Sequence, residues 1–220
     1  MTKQLIIKSD NYSLYKLDKQ HLYEIAKFVV EENHKHNFSK TNNKINIEEK
    51  IEAVYQEELI YADNSDIFIA ENNNCCIIGC IRVMKWNMKH RLPMHKAFGI
   101  NPLEHITTLK NTTFWHIGRF AISNCLDISN GRLFKQLMIY AIYQIYQEED
   151  GYMIAECDSR LLRTINILGI NTISLGKGLQ YLYSETIPIY ANKTGLSKFY
   201  QNFIHLHHKY QNKYNPIKVA

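Results

Sequence analysis

The strongest constraint on this chain is a double change of period in its second half. Residues 115–123 (WHIGRFAIS) are apolar at the density of a buried strand. After a short polar loop, Leu133, Phe134, Leu137, Met138, Ala141, Ile142 and Ile145 recur at helical spacing over 131–147. Residues 152–156 then return to a strand pattern. Strand, long amphipathic helix and strand in succession form a unit of an α/β sheet. Upstream, strands at 67–70 and 76–86 flank the polar turn 71–74, which predicts an antiparallel hairpin. Short strands at 5–7 and 12–17 precede helices at 19–36 and 47–61, the second with Ile51, Val54, Tyr55 and Leu59 on one stripe. The Asn- and Lys-rich stretch 38–46 between them is a loop. Downstream lie a helix at 159–168, strands at 180–183 and 187–190, and a closing helix at 196–210. The segment 87–113 has no clean period and holds two of the four prolines, so it is a long connection of the kind that often carries function. The predicted fold class is α/β (α+β): a central twisted mixed sheet with helices on both faces. No repeat, linker or composition break divides residues 1–220, so one domain is expected.

Composition narrows the function. Hydrophobic residues are 45% and charged residues 21% of 220, which excludes disordered and collagen-like classes. No apolar run approaches the roughly 18–20 residues that span a bilayer, and the N-terminus does not read as a secretory signal. Five irregularly spaced cysteines argue for reduced thiols rather than a disulfide framework, and no Cys-x-x-Cys pair proposes a metal. A cytoplasmic protein is expected. The net charge of +5 permits an acidic partner such as a carrier protein, a nucleotide or, at most peripherally, an anionic membrane. No recognition helix or RNA-binding motif points to nucleic acid.

The chemistry-bearing segment is Phe114–Ser123 followed by Ser129, Asn130, Gly131 and Arg132 at a helix start. Free N–H groups and the positive end of the helix dipole meet there, which favours an anion. Gly131 lets the backbone approach a phosphate, and Arg132 adds charge. An ordinary cap is the competing explanation. His116 sits within the strand, and imidazole suits proton removal from an amine near neutral pH; a satisfied structural histidine is the alternative. Strict alternation puts His116, Gly118 and Phe120 on one face and Trp115, Ile117, Arg119 and Ala121 on the other. Arg82 and Arg119 lie inside apolar strands and require partners. A buried carboxylate such as Glu71 or Glu156 would serve. One arginine could alternatively order the site or hold an acceptor carboxylate.

Taken together, the element order resembles the GNAT acyltransferase fold. More closely, Gly79-Cys-Ile-Arg-Val83, Leu92-Pro-Met-His-Lys-Ala-Phe98 and Trp115-x-Ile-x-Arg-Phe120 resemble the acyl-homoserine-lactone (autoinducer) synthases and the related long-chain N-acyl amino acid synthases, over roughly residues 65–170. The resemblance implies an acyltransferase that takes a medium or long acyl chain from an acyl carrier protein or coenzyme A thioester. Backbone groups of Phe120, Ala121 and Ile122 would hold the donor's pantetheine arm, and Asn130, Gly131 and Arg132 its phosphate. His116 occupies the strand position where many relatives carry Glu and would be the base, with Arg119 and Arg82 as further site residues and no metal. The Trp and acidic cluster that autoinducer synthases use for S-adenosylmethionine are not found. The expected acceptor is therefore the amine of a small molecule such as an amino acid, rather than one that closes to a lactone. The Tyr that often protonates the leaving thiolate aligns with Ile165. An acetyl-CoA-dependent N-acetyltransferase and a non-catalytic binding module are the alternatives.

Three other features complete the reading. Lys85, Lys89, His90, Arg91, His95 and Lys96 form either a solvated face or a patch for an acidic carrier, and Trp86, Met88, Leu92, Met94 and Phe98 among them could cover an acyl chain. Tyr140, Tyr143 and Tyr146 read as helix packing. His205, His207 and His208 read as surface.

Overall fold

The computed structural model describes residues 3–37, 46–123, 131–181 and 184–208. Nine strands form one sheet among them: β1 (Gln4–Lys8), β2 (Ser13–Leu17), β3 (Ser65–Glu71), β4 (Ile77–Lys85), β5 (Thr112–Ile122), β6 (Asp150–Asp158), β7 (Ile173–Ser174), β8 (Leu179–Tyr181) and β9 (Ser184–Asn192). Six helices accompany them: α1 (Leu22–Asn37), α2 (Ile47–Tyr61), α3 (Pro93–Phe98), α4 (Arg132–Gln147), α5 (Ser159–Ile167) and α6 (Lys193–Phe203). Local chemistry sets their ends. Asn46 caps α2, Asp158 caps α5 through the amides of Arg160 and Leu161, and Asn192 caps α6 through that of Gly195.

The strand order is β1-β2-β3-β4-β5-β6-β9-β7, with β8 on β9. Only β5 and β6 pair in parallel, because α4 carries the chain across the sheet between them. This is the expected mixed sheet. One face packs α4, α5 and α6 against Phe68, Ile81, Val83, Ile117, Met153 and Ala155. The opposite face packs α1 against Ile67, Ile69, Cys80 and Ala121, with α2 behind it. Farther along this second face, α3 lies against Met84, Phe114 and Ile154.

The structure departs from expectation in several places. The segment 87–113 is not structureless: a proline-started helix, α3, and a 3-10 turn at Pro102–Glu104 lie within it. Strand β7, too short for any periodic signal, was unpredicted. On α2, Leu59 is exposed whereas Glu58 is buried on the stripe of Ile51. The closing helix stops at Phe203 and gives way to a 3-10 turn. Beyond that turn His207 is 2% exposed and stacks on Tyr143 with ring centroids 4.0 Å apart, while His208 Nδ1 lies 2.8 Å from the Tyr140 hydroxyl. His205 is exposed as expected. Tyr146 stacks on Tyr200 at 3.8 Å, so the tyrosine row of α4 does pack against neighbouring chain.

Candidate active site

The site begins where two strands part. β5 and β6 pair from Thr112↔Asp150 to Ile117↔Ala155 and no farther. β5 nevertheless continues to Ile122, held on its outer edge by β4, and β6 to Asp158, held by β9. Beyond Ile117 and Ala155 the two inner edges diverge, and a cleft of about 940 Å³ opens between them. That volume is at the upper end of the roughly 300–1,000 Å³ common for ligand sites.

A bulge in β5 shapes one wall. Between Cys80↔Ala121 and Arg82↔Gly118, β5 carries one residue more than β4. The extra residue is Arg119, with φ 53°, in the left-handed region that a side chain enters at a cost of roughly 1–3 kcal/mol. The Cys80 thiol donates to the Arg119 carbonyl at 2.9 Å and pins the bulge; its burial pushes the pKa of that thiol well up. The bulge breaks strict alternation. Arg119 turns to the face of His116, and Phe120 turns to the other, where its ring meets Phe134 at 4.8 Å. The expected division of faces is therefore wrong beyond Gly118.

On the α1–α2 face this arrangement assembles a buried chain of charges. Arg82 and His116 are each 1% exposed, as is the side chain of Glu58. Glu58 Oε1 accepts from Arg82 Nη1 at 2.7 Å and from Arg119 Nε at 2.7 Å. Arg119 Nη2 also donates to Glu57. Burial alone would raise the Glu57 carboxyl, but Arg119, with Lys96 and Arg82, holds it below the usual carboxylate range. These carboxylates raise the Arg119 pKa against the opposing effect of its own burial. Removing one member of such a buried pair typically costs about 3–5 kcal/mol. The expected partners were others: Glu71 pairs with Lys3, and Glu156 with His116. The sequence signal for the true partner was available, since Glu58 is a charge on the apolar stripe of an amphipathic helix.

His116 is bound from both sides. Arg82 Nη2 lies 3.0 Å from His116 Nδ1, and Glu156 Oε2 lies 2.8 Å from Nε2. Gly118 makes room for this, because a Cβ there would come within 3.0 Å of both Arg82 Nη2 and His116 Cε1. Glu156 lines the cleft with its side chain 14% exposed. Its second oxygen, Oε1, is buried without a hydrogen-bond partner among the described residues. Leaving such an acceptor unmet costs roughly 1–3 kcal/mol.

The other face of the wedge carries a run of apolar side chains, with Ser159, Arg160 and Thr164 of α5 at its rim. Ile117, Phe120, Phe134, Met138, Met153 and Ile165 line the cleft there. The parting of β5 and β6 thus joins a charged side to an apolar side through the sheet. A second cavity of about 430 Å³ lies between α1 and α2 and meets the cleft at Glu57 and Arg119.

The remaining expected residues are distributed as follows. Ala121 and Ile122 line the cleft. Gly131 stands at the start of α4 with φ 55°, a conformation that favours glycine, and neither a capping side chain nor an acidic residue occupies that first turn. Arg132 is exposed and lies against the Tyr12 phenol, whose pKa burial raises and Arg132 pulls back. Asn130 lies outside the described residues. Phe98 lines the cleft, whereas Trp86, Leu92 and Met94 belong to the core beside α3 and Met88 is exposed. Lys85 pairs with Glu148 and Lys96 with Glu57, while Lys89, His90 and Arg91 are exposed. Among the described residues no group of His, Cys, Asp or Glu is placed to hold a metal, and no helix is long and apolar enough to cross a membrane.

No family model and no curated protein matches this sequence. Solved structures do match its fold. LasI, an AHL synthase, is 13% identical, with 91% of this chain and 96% of that chain covered and a TM-score of 0.54. FdhC, a nucleotide-linked sugar GNAT, is 12% identical, with 93% and 99% covered and a TM-score of 0.51. FeeM, an N-acyl amino acid synthase from uncultured soil microbes, is 12% identical, with 82% and 89% covered and a TM-score of 0.50. The fold is the GNAT-like fold of these structures, as the element order led us to expect.

Proposed function

We propose that this chain is an N-acyltransferase that moves a medium or long acyl chain from an acyl carrier protein or coenzyme A thioester to the amine of a small acceptor such as an amino acid. The observation that carries this reading is the parting of β5 and β6 at Ile117 and Ala155, with buried charge on one side of the gap and apolar side chains on the other. An extended pantetheine arm fits between two diverging strands, where backbone groups of Phe120, Ala121 and Ile122 are at hand. The N-terminus of α4 at Gly131 and Arg132 would receive its phosphate. The apolar side suits an acyl chain, since each buried methylene contributes about 0.8 kcal/mol; an acetyl group would leave most of it unfilled.

The charged side supplies the acid–base chemistry. The attacking amine gives up its proton to the His116–Glu156 pair, which Arg82 holds in place while Arg119 shares the Glu58 carboxylate with Arg82. Positioning the amine against the thioester carbonyl supplies much of the acceleration. The exposed Lys89, His90 and Arg91 offer an acidic carrier protein a place to dock, and a cytoplasmic location belongs to this reading.

The test is mass spectrometry of lipid extracts from cells expressing the chain. A new N-acyl species is expected, lost in His116→Ala and in Arg119→Ala. With the purified protein, His116→Ala should lower kcat far more than it raises the donor's KM. Unchanged turnover in His116→Ala would remove that residue from the mechanism, and the absence of any N-acyl product from the wild type would remove the reading itself.

A further inference from the structure

Neither ring nitrogen of His116 is open to a substrate. A guanidinium only donates, so the 3.0 Å contact from Arg82 makes Nδ1 the acceptor. The ring proton therefore sits on Nε2 and is donated to Glu156 Oε2 at 2.8 Å. A proton on Nδ1 would point at the Arg82 cation, so the tautomer is fixed. The end of this chain nearest the cleft is Glu156, which lines it with its side chain 14% exposed and whose Oε1 is buried with no hydrogen-bond partner among the described residues. That atom is where an amine N–H would complete the network.

We propose that Glu156 is the catalytic base, and that His116, Arg82 and Glu58 are positioning residues acting through it. This rests on the acyl-transfer reading above. The nitrogen of the neutral amine attacks the thioester carbonyl carbon. The N–C bond forms, the C–S bond breaks, and the bonding pair leaves with sulfur. The proton lost by nitrogen passes to Glu156 Oε1 and from there to the departing thiolate, giving one amide and one thiol and restoring the carboxylate. The return is downhill, since a thiolate is a stronger base than a carboxylate. One carboxylate thus serves both transfers. Ile165, which lines the cleft from α5, is buried and apolar, and on this route no hydroxyl donor is needed there.

The experiment compares Glu156→Gln and His116→Gln in the full chain. Decanoyl-coenzyme A and an equimolar mixture of L-amino acids are the substrates, and product is read by mass spectrometry. A glutamine at 116 can still accept from Arg82 and donate to Glu156. Glu156→Gln should lose about 10²–10³-fold in kcat with donor KM within about threefold. His116→Gln should stay within about tenfold of wild type. The reverse ranking, with His116→Gln inactive and Glu156→Gln active, would overturn the assignment. A wild type without product counts against the acyl-transfer reading instead. In that event nitrogen-15 NMR of the wild-type His116 ring still decides the local claim: a bare Nδ1 and a protonated Nε2 are expected, and the opposite tautomer overturns it.

Discussion

At the scale of the residue, the site is organised by where charge is buried. Arg82, Arg119 and His116 are singled out by the sequence because polar groups inside apolar strands need partners, and the structure places all three on one side of one cleft. Their partners were harder to read. Glu57 and Glu58 come from α2, some sixty residues before Arg119 in the chain, and no local pattern pairs residues at that distance. Glu58 interrupts an apolar stripe and was legible in hindsight. Glu156 was visible as a candidate partner, but geometry alone assigns it to His116. The ion pairs carry a pH signature. The Glu57 carboxyl is held below the ordinary value that it regains in the unfolded chain. Its contribution to stability is thus fully present above the unfolded pKa, near 4.3, and is lost as pH falls through the lower folded value. Urea unfolding between about pH 6 and pH 3 should show stability falling with acid, and Glu57→Gln should flatten that slope.

At the scale of the element, the hairpin β3–β4, the strand β5, the helix α4 and the strand β6 were legible from the density and spacing of their apolar residues. The bulge was not. A period of two predicts that Arg119 faces away from His116, and one extra residue with φ 53° reverses this. Such a bulge has no sequence signature when the residue in the left-handed region is an arginine rather than a glycine. Its value is that Arg119 and Arg82, from adjacent strands, share the single carboxylate Glu58. Gly118 is the element's other requirement. Because a Cβ there would press on both Arg82 and His116, Gly118→Ala should displace the pair and lower kcat on the order of tenfold or more. A crystal structure of the variant should show His116 shifted from Glu156; an unmoved ring with full activity would contradict this account of the bulge.

At the scale of the whole molecule, the sheet divides two kinds of surroundings and the parting of its central strands connects them. Alternation along β5 and β6 sends His116 and Glu156 one way and Ile117, Met153 and Ala155 the other. A donor lying in the gap would keep its thioester near charge and its acyl chain among apolar side chains. Burial at about 0.8 kcal/mol per methylene predicts that kcat/KM rises about fourfold with each added carbon until the apolar side is filled, a series measurable with acyl-coenzyme A substrates of increasing length. A flat series would favour a short-chain donor. The central claim, that the gap between β5 and β6 grips an acyl-pantetheine arm, is tested most directly by titrating a non-hydrolysable acyl-pantetheine thioether into the nitrogen-15-labelled protein. The account predicts that the backbone amides of Phe120, Ala121 and Ile122, together with those of Glu156 and Cys157 across the gap, shift in concert at one saturating site. Shifts confined to other parts of the sheet, or none at these amides, would contradict it.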